Sequence, residues 1–156
     1  DYLAKQDNPV EITQTEITSE DAFKSYIKAL MDVRDFDHSF AIGYGNGQVV
    51  LAQRHLSIGY LEDKVDPEIL NPPGKYSFWL EPCNRLLMGA ARYGIPLNTQ
   101  YIFSSQHPSA REQINMIGAG IKDVLVGDLK TSRDEKGPLS YKLLKAQNIL
   151  KFKELD

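Results

Sequence analysis

Five side chains of types found in active sites fall at or just before two helix starts. Glu81-Pro82-Cys83 opens one stretch of helical periodicity, and His107-Pro108-Ser109, followed by Glu112, opens another. A thiol in the first turn of a helix sits at the positive end of the macrodipole, which favours thiolate. A histidine brought beside it supplies a base, so Cys83 and His107 are candidates for a nucleophilic pair. The competing reading is that Cys83 packs as a small hydrophobe, with His107 exposed on a loop. The carboxylates offer a second chemistry. Glu81, Glu112, His107 and Cys83 together carry donors for a hard metal ion. Against this, Glu81 and Glu112 read as first-turn carboxylates complementing two helix N-termini. Helix starts that converge on one cavity also bind anions through backbone N–H groups. A nucleotide phosphate is therefore a candidate ligand, although the charges of Glu81 and Glu112 oppose it.

The elements that must position these residues are readable from periodicity. Thr18 or Ser19 caps a helix with Glu20 and Asp21 in its first turn. Phe23, Tyr26, Ile27, Leu30 and Met31 form its buried stripe. His38 to His55 reads as a hairpin around Asn46-Gly47, because both central residues of a type I′ turn need positive φ. Leu61 to Lys75, with three prolines and a glycine, is a loop. Pro82 suits the first turn of the next helix, which presents Leu86, Leu87, Ala90 and Ala91 and ends at Gly94 before Pro96. A strand over Thr99 to Ser104 leads to a helix opening at Pro108 or Ser109, with Ile114 and Ile117 inward. Asp123 to Val126 is a buried strand, Leu129 to Pro138 a polar loop, Ser140 to Gln147 a last helix and Ile149 to Leu155 an edge strand. Residues 1–17 are expected to be an N-terminal arm, with an edge strand or disorder as alternatives over the first fifteen. Residues 18–156 are expected to be one domain. Strands alternating with helices after a leading hairpin make the fold α/β with a mixed sheet.

The phrase Ala90-Ala91-Arg92-Tyr93-Gly94-Ile95-Pro96-Leu97, then Pro108 and Ala119-Gly120-Ile121 at their spacing, resembles the cytidine and deoxycytidylate deaminase family. The resemblance runs from about Phe40 to Leu155. It implies a three-layer α/β/α fold with a five-stranded mixed sheet. Active members carry H-A-E at the first helix start and P-C-x-x-C at the second. One His or Cys and two Cys hold a Zn²⁺ that activates water, and a glutamate that is not a ligand shuttles protons. The resemblance places Glu81 at the His position, Cys83 at the catalytic glutamate, and Ser109 and Glu112 at the two cysteines. Soft thiolates are exchanged for a hydroxyl and a carboxylate. His55 stands where many members place a ribose-contacting Asn. His55 is therefore a possible ligand-binding residue, with an ordinary surface or edge role as the alternative. Trp79, with Phe78, lies just before the helix that opens at Glu81 and is a second possible ligand-binding residue, with a core or subunit-contact role as the alternative. The expectation is a pseudoenzyme without zinc, cofactor or hydrolytic deamination, acting as an interaction or regulatory protein. The resemblance implies a homodimer, or a heteromer with an active deaminase subunit. Two alternatives remain: an enzyme with repurposed chemistry at Cys83 and His107, and a nucleotide-binding module.

Composition narrows the classes. The chain has 156 residues, 25% of them charged, and a net charge of −3. That balance lacks the basic footprint of a nucleic-acid binder. A single cysteine excludes an internal disulfide and any C-x-x-C metal pair. No run approaches the roughly 20 apolar residues that span a bilayer, and no signal-peptide pattern is seen. The expectation is a soluble cytoplasmic protein.

Overall fold

The computed structural model describes residues 10–36, 38–54, 80–97 and 101–156. His55, Phe78 and Trp79, the loop expected over Leu61 to Lys75, the beginning of the strand expected at Thr99 and residues 1–9 of the expected arm lie outside the described residues. In chain order the elements are β1 (Glu11–Gln14), α1 (Glu20–Val33), β2 (Phe40–Gly45), β3 (Gln48–Gln53), α2 (Pro82–Tyr93) and β4 (Ile102–Ser104). They continue as α3 (Ala110–Gly118), β5 (Asp123–Val126), α4 (Arg133–Lys136), α5 (Leu139–Gln147) and β6 (Lys151–Glu154).

The sheet runs β1-β3-β2-β4-β5-β6, six strands where five were expected. The additional strand is β1, inside the segment expected as an arm. It pairs antiparallel to β3, with Glu11 opposite Leu51 and Gln14 opposite Gln48. Four residues with a single half-buried apolar side chain, Ile12, are too short for alternation to register as a signal. The hairpin is as expected: β2 and β3 pair antiparallel around Asn46 (φ 51°) and Gly47 (φ 75°). β4 pairs antiparallel to β2, and β4, β5 and β6 are parallel.

Period-two alternation gives the sheet two apolar faces. Phe40, Ile42, Tyr44, Val49 and Leu51 pack with Phe23 and Ile27 of α1. Ala41, Val50 and Ala52 face the other way, toward Leu86 and Ala90 of α2 and Met116 of α3. Helices therefore cover both faces, and the small residues of β2 and β3 lie under α2. Ser19 caps α1, its side chain accepting from Ala22 N at 3.1 Å. Gly89 on α2 serves a close approach: a Cβ there would lie 2.4 Å from Cγ1 of Val10, so the lead-in to β1 seats on the bare helix surface.

Several expected core positions turn outward. Met31 is exposed, as is Ala91. Ile114 is 56% exposed, because Glu112, Gln113 and Met116 take the inward face of α3. Ile114 lies two residues, about 200°, from Glu112 and points away, while Ile117 stays half-buried against the core as expected.

Candidate functional site

The starts of α2 and α3 lie side by side, joined by one carboxylate. Glu112 Oε2 accepts from the Cys83 backbone N–H at 2.8 Å, and Oε1 accepts from the Ser109 backbone N–H at 2.9 Å. Ser109 Oγ accepts in return from Glu112 N at 3.2 Å, completing a capping box. Further along, Asn115 Nδ2 donates to Asn84 Oδ1 at 2.9 Å. Glu112 is 4% exposed. Burial pushes its carboxyl up, the neighbouring Glu81 charge adds to that, and the two amide donors hold it down in part.

Cys83 is fully buried. Ser104 donates its hydroxyl proton to the carbonyl of Gln106, a group that only accepts. The thiol therefore donates to Ser104 Oγ, at 3.4 Å. Burial pushes the thiol well above its ordinary range, and the Glu112 charge pushes it further. The helix dipole expected to favour thiolate is outweighed: a thiolate here would face a carboxylate in an apolar pocket. The arrangement is that of a neutral, packed thiol.

His107 is buried rather than exposed on a loop. Its Nε2 lies 2.7 Å from the carbonyl of Asp128. A carbonyl only accepts, so Nε2 carries the proton and Nδ1 holds the lone pair. Nδ1 is buried without a partner among the described residues. The ring lies 5.1 Å from that of Phe152, and Arg133 Nη1 donates to the His107 carbonyl at 2.7 Å. Burial lowers the imidazole pKa. Cys83 and His107 thus have separate partners and share no hydrogen bond. The geometry does not bring them together as a nucleophile and its base.

Glu81 occupies the N-cap of α2 without a side-chain cap bond. It is 8% exposed, and its Oε1 lies 2.8 Å from Arg111 Nη2. The contact is an ion pair without hydrogen-bond alignment, because Oε1 accepts no bond of acceptable angle from the described residues. Glu81, Ser104, Glu112, Arg54 and Arg133 line a cavity of about 40 Å³. That has room for water and falls far short of the roughly 300–1,000 Å³ of small-molecule pockets.

The donor set does not fit zinc. Both oxygens of Glu112 receive backbone N–H groups, Ser109 Oγ receives one, and the single thiol is a donor. Zinc sites are built from thiolates, imidazoles and carboxylates with lone pairs aimed at one point. Among the described residues, no three His, Cys, Asp or Glu side chains gather as a metal-holding group.

A three-layer α/β/α arrangement on a mixed sheet, with two helix starts meeting at one edge of the core, is the cytidine deaminase-like fold. Two solved structures of dCMP deaminase from the cyanophage S-TIM5 share it. The apo form is 16% identical, covers 86% of this chain and 95% of that chain, and superposes with a TM-score of 0.53. The complex with dCMP and dUMP is 17% identical, with 89% and 99% covered and a TM-score of 0.56. At such identities the likeness shows the fold. No protein-family model and no curated protein matches the chain. Among the described residues no helix is long and apolar enough to cross a membrane.

Residues at this site that the sequence reading passed over are Ser104, Arg111, Asp128 and Arg133. They meet their partners across separate elements, so no local spacing announces them. The Ser109-x-x-Glu112 capping box carried a signal, since serine followed three residues later by glutamate before an apolar run is a helix-start signature.

Proposed function

We propose that this chain is a deaminase-fold protein that has left zinc chemistry and acts as an interaction or regulatory protein. The observation that carries the reading is the engagement of Glu112. Each of its oxygens accepts a backbone donor, one from each of two helix starts, a structural duty that the fold can use without a metal. Cys83 stands where the resemblance puts the proton shuttle, and a thiol held above its ordinary pKa cannot shuttle protons at neutral pH.

The partner is proposed to be a second copy or a deaminase-like subunit, meeting the outer face of α2 and α3. Met88 (47% exposed) and Ile114 (56% exposed) present apolar surface on these two helices, which the Asn84–Asn115 bond links. Three measurements on one preparation test the reading: metal content after purification without chelator, deamination of cytidine and dCMP, and sedimentation of the wild type beside Met88→Asp. The expected results are no stoichiometric zinc, no ammonia release, and an oligomer that Met88→Asp dissociates. Stoichiometric zinc or turnover would overturn the zinc-free reading; a monomeric wild type would overturn self-association.

Nucleotide binding is the second reading. It draws on a solved structure of the same fold, described as a complex with dCMP and dUMP. The 40 Å³ cavity and the two buried carboxylates weigh against it at the helix starts. Thermal shifts with nucleosides and nucleotides decide it, because a ligand that prefers the folded state must raise its stability.

A further inference from the structure

A second cavity opens between the starts of α3 and α5 and shares Glu81 and Arg133 with the small one. It holds about 400 Å³, within the roughly 300–1,000 Å³ range of small-molecule sites. Ser109, Arg111, Arg133, Ser140 and Tyr141 line it with Glu81, beside apolar surface from Pro138. Two guanidinium groups thus face one carboxylate, and that carboxylate is already paired with Arg111. Burial, and after it the charge of Asp134, raises the Tyr141 pKa, and Asp134 is itself paired with Lys145. The lining carries net positive charge. Arg133 is held by its bond to the His107 carbonyl, so its planar fork is positioned in advance.

Two further observations point the same way. α5 is nine residues long and opens at Pro138, which forms no side-chain cap bond. Its positive end is therefore uncapped where Ser140 and Tyr141 enter the lining. Independently, Tyr141 is 1% exposed and its buried hydroxyl has no partner among the described residues. Buried hydroxyls are rarely left so. Burial and the Asp134 charge push this phenol up to about 12, so it stays a donor at neutral pH.

We propose that this cavity binds a small organic anion, an oxyanion head on an apolar body, with the head held by Arg111 and Arg133. Carboxylates and phosphate monoesters share the fork geometry that guanidinium recognises. This goes beyond the proposed function and stands whether or not zinc chemistry has been lost.

Titration calorimetry on the full chain with phenyl phosphate, benzoate and inorganic phosphate tests it. The expected result is saturable binding of phenyl phosphate or benzoate, tighter than inorganic phosphate; the tighter of the two identifies the head. Arg111→Met and Arg133→Met should each weaken binding about tenfold or more, the loss expected of one charge-assisted hydrogen bond. Tyr141→Phe should weaken it by a smaller factor, and Lys142→Gln should leave it unchanged. If Arg133→Met fails to fold for want of its bond to His107, Arg111→Met and Tyr141→Phe still decide the matter. No saturation by either organic probe at millimolar concentration, or binding that survives Arg111→Met intact, overturns the proposal.

Discussion

Replacing Glu112 by alanine tests the structural reading of the two helix starts directly. The side chain accepts two backbone hydrogen bonds, at 2.9 Å from Ser109 and 2.8 Å from Cys83. Hydrogen bonds to a charged group contribute about 1.5–3 kcal/mol each, so removing both threatens roughly 3–6 kcal/mol. Two effects reduce that figure. The carboxylate is itself disfavoured by burial and by Glu81, which its removal relieves. Ser109 N is only partly buried and can turn to water. The amide of Cys83, by contrast, is left orphaned in the core. The net loss is expected to be about 2–4 kcal/mol, within the range for leaving a buried donor unpaired and breaking a polar network.

Urea unfolding followed by tryptophan fluorescence and circular dichroism reads this loss. With a slope of about 2 kcal/mol per molar urea, the midpoint should fall by about 1–2 M. Glu112→Gln should fall between wild type and Glu112→Ala, because an amide keeps one acceptor and presents a donor to the other N–H. An unchanged or higher midpoint for Glu112→Ala would defeat the reasoning. Functional groups held at a site often reduce stability, so a gain on removal would mark Glu112 as kept for activity rather than for the fold.

Three further outcomes follow from the same geometry. Cys83 should resist alkylation in the native protein and react fully once the chain is unfolded in urea; rapid native labelling with a low apparent pKa would restore it as a nucleophile. His107, lowered by burial, should make stability decline as pH falls below about 6.5, because the unfolded chain then takes up a proton that the native one refuses. That decline should shrink in His107→Gln, measured as urea midpoints at neutral and mildly acidic pH; identical slopes in both proteins would acquit the histidine. Gly89→Ala should cost about 1–3 kcal/mol by overpacking against Val10, and Val10→Ala in the same chain should recover part of it. Full additivity of the two substitutions would show that they do not touch.

Much of the architecture was readable because its signals are local. Asn46-Gly47 specifies its turn by positive φ, and the strand Asp123–Val126 carries a continuous apolar run, Val124 to Val126, bounded by Asp123 and Gly127. The strand β1 was not securely readable, since four residues that pair with a distant partner leave only a faint pattern. At the site, the proximity of the two helix starts followed from the family resemblance and not from periodicity. What each side chain does there depended on contacts between elements. Ser104 fixes the direction of the Cys83 proton from β4, and Asp128 fixes the His107 tautomer from the turn after β5. A thiol at a helix start reads as activated from sequence alone; burial beside a carboxylate reverses the sign.

On the proposed reading, the spacing at the start of α3 accounts for how two helix starts can be joined without a metal. Residues at i and i+3 share one side of a first turn, which is why C-x-x-C aims two thiolates at a single point. Ser-x-x-Glu uses the same separation for a reciprocal cap, and the cap answers orphan donors that the helix start presents in either case. In this chain the longer side chain at the second position reaches further, across to the amide of Cys83 on α2. One carboxylate therefore ties together two helix starts that, in an active deaminase, the resemblance assigns to a shared cation. On the proposed reading, the joint between the helices needs an acceptor of negative charge at that place, and Glu112 supplies it without a metal.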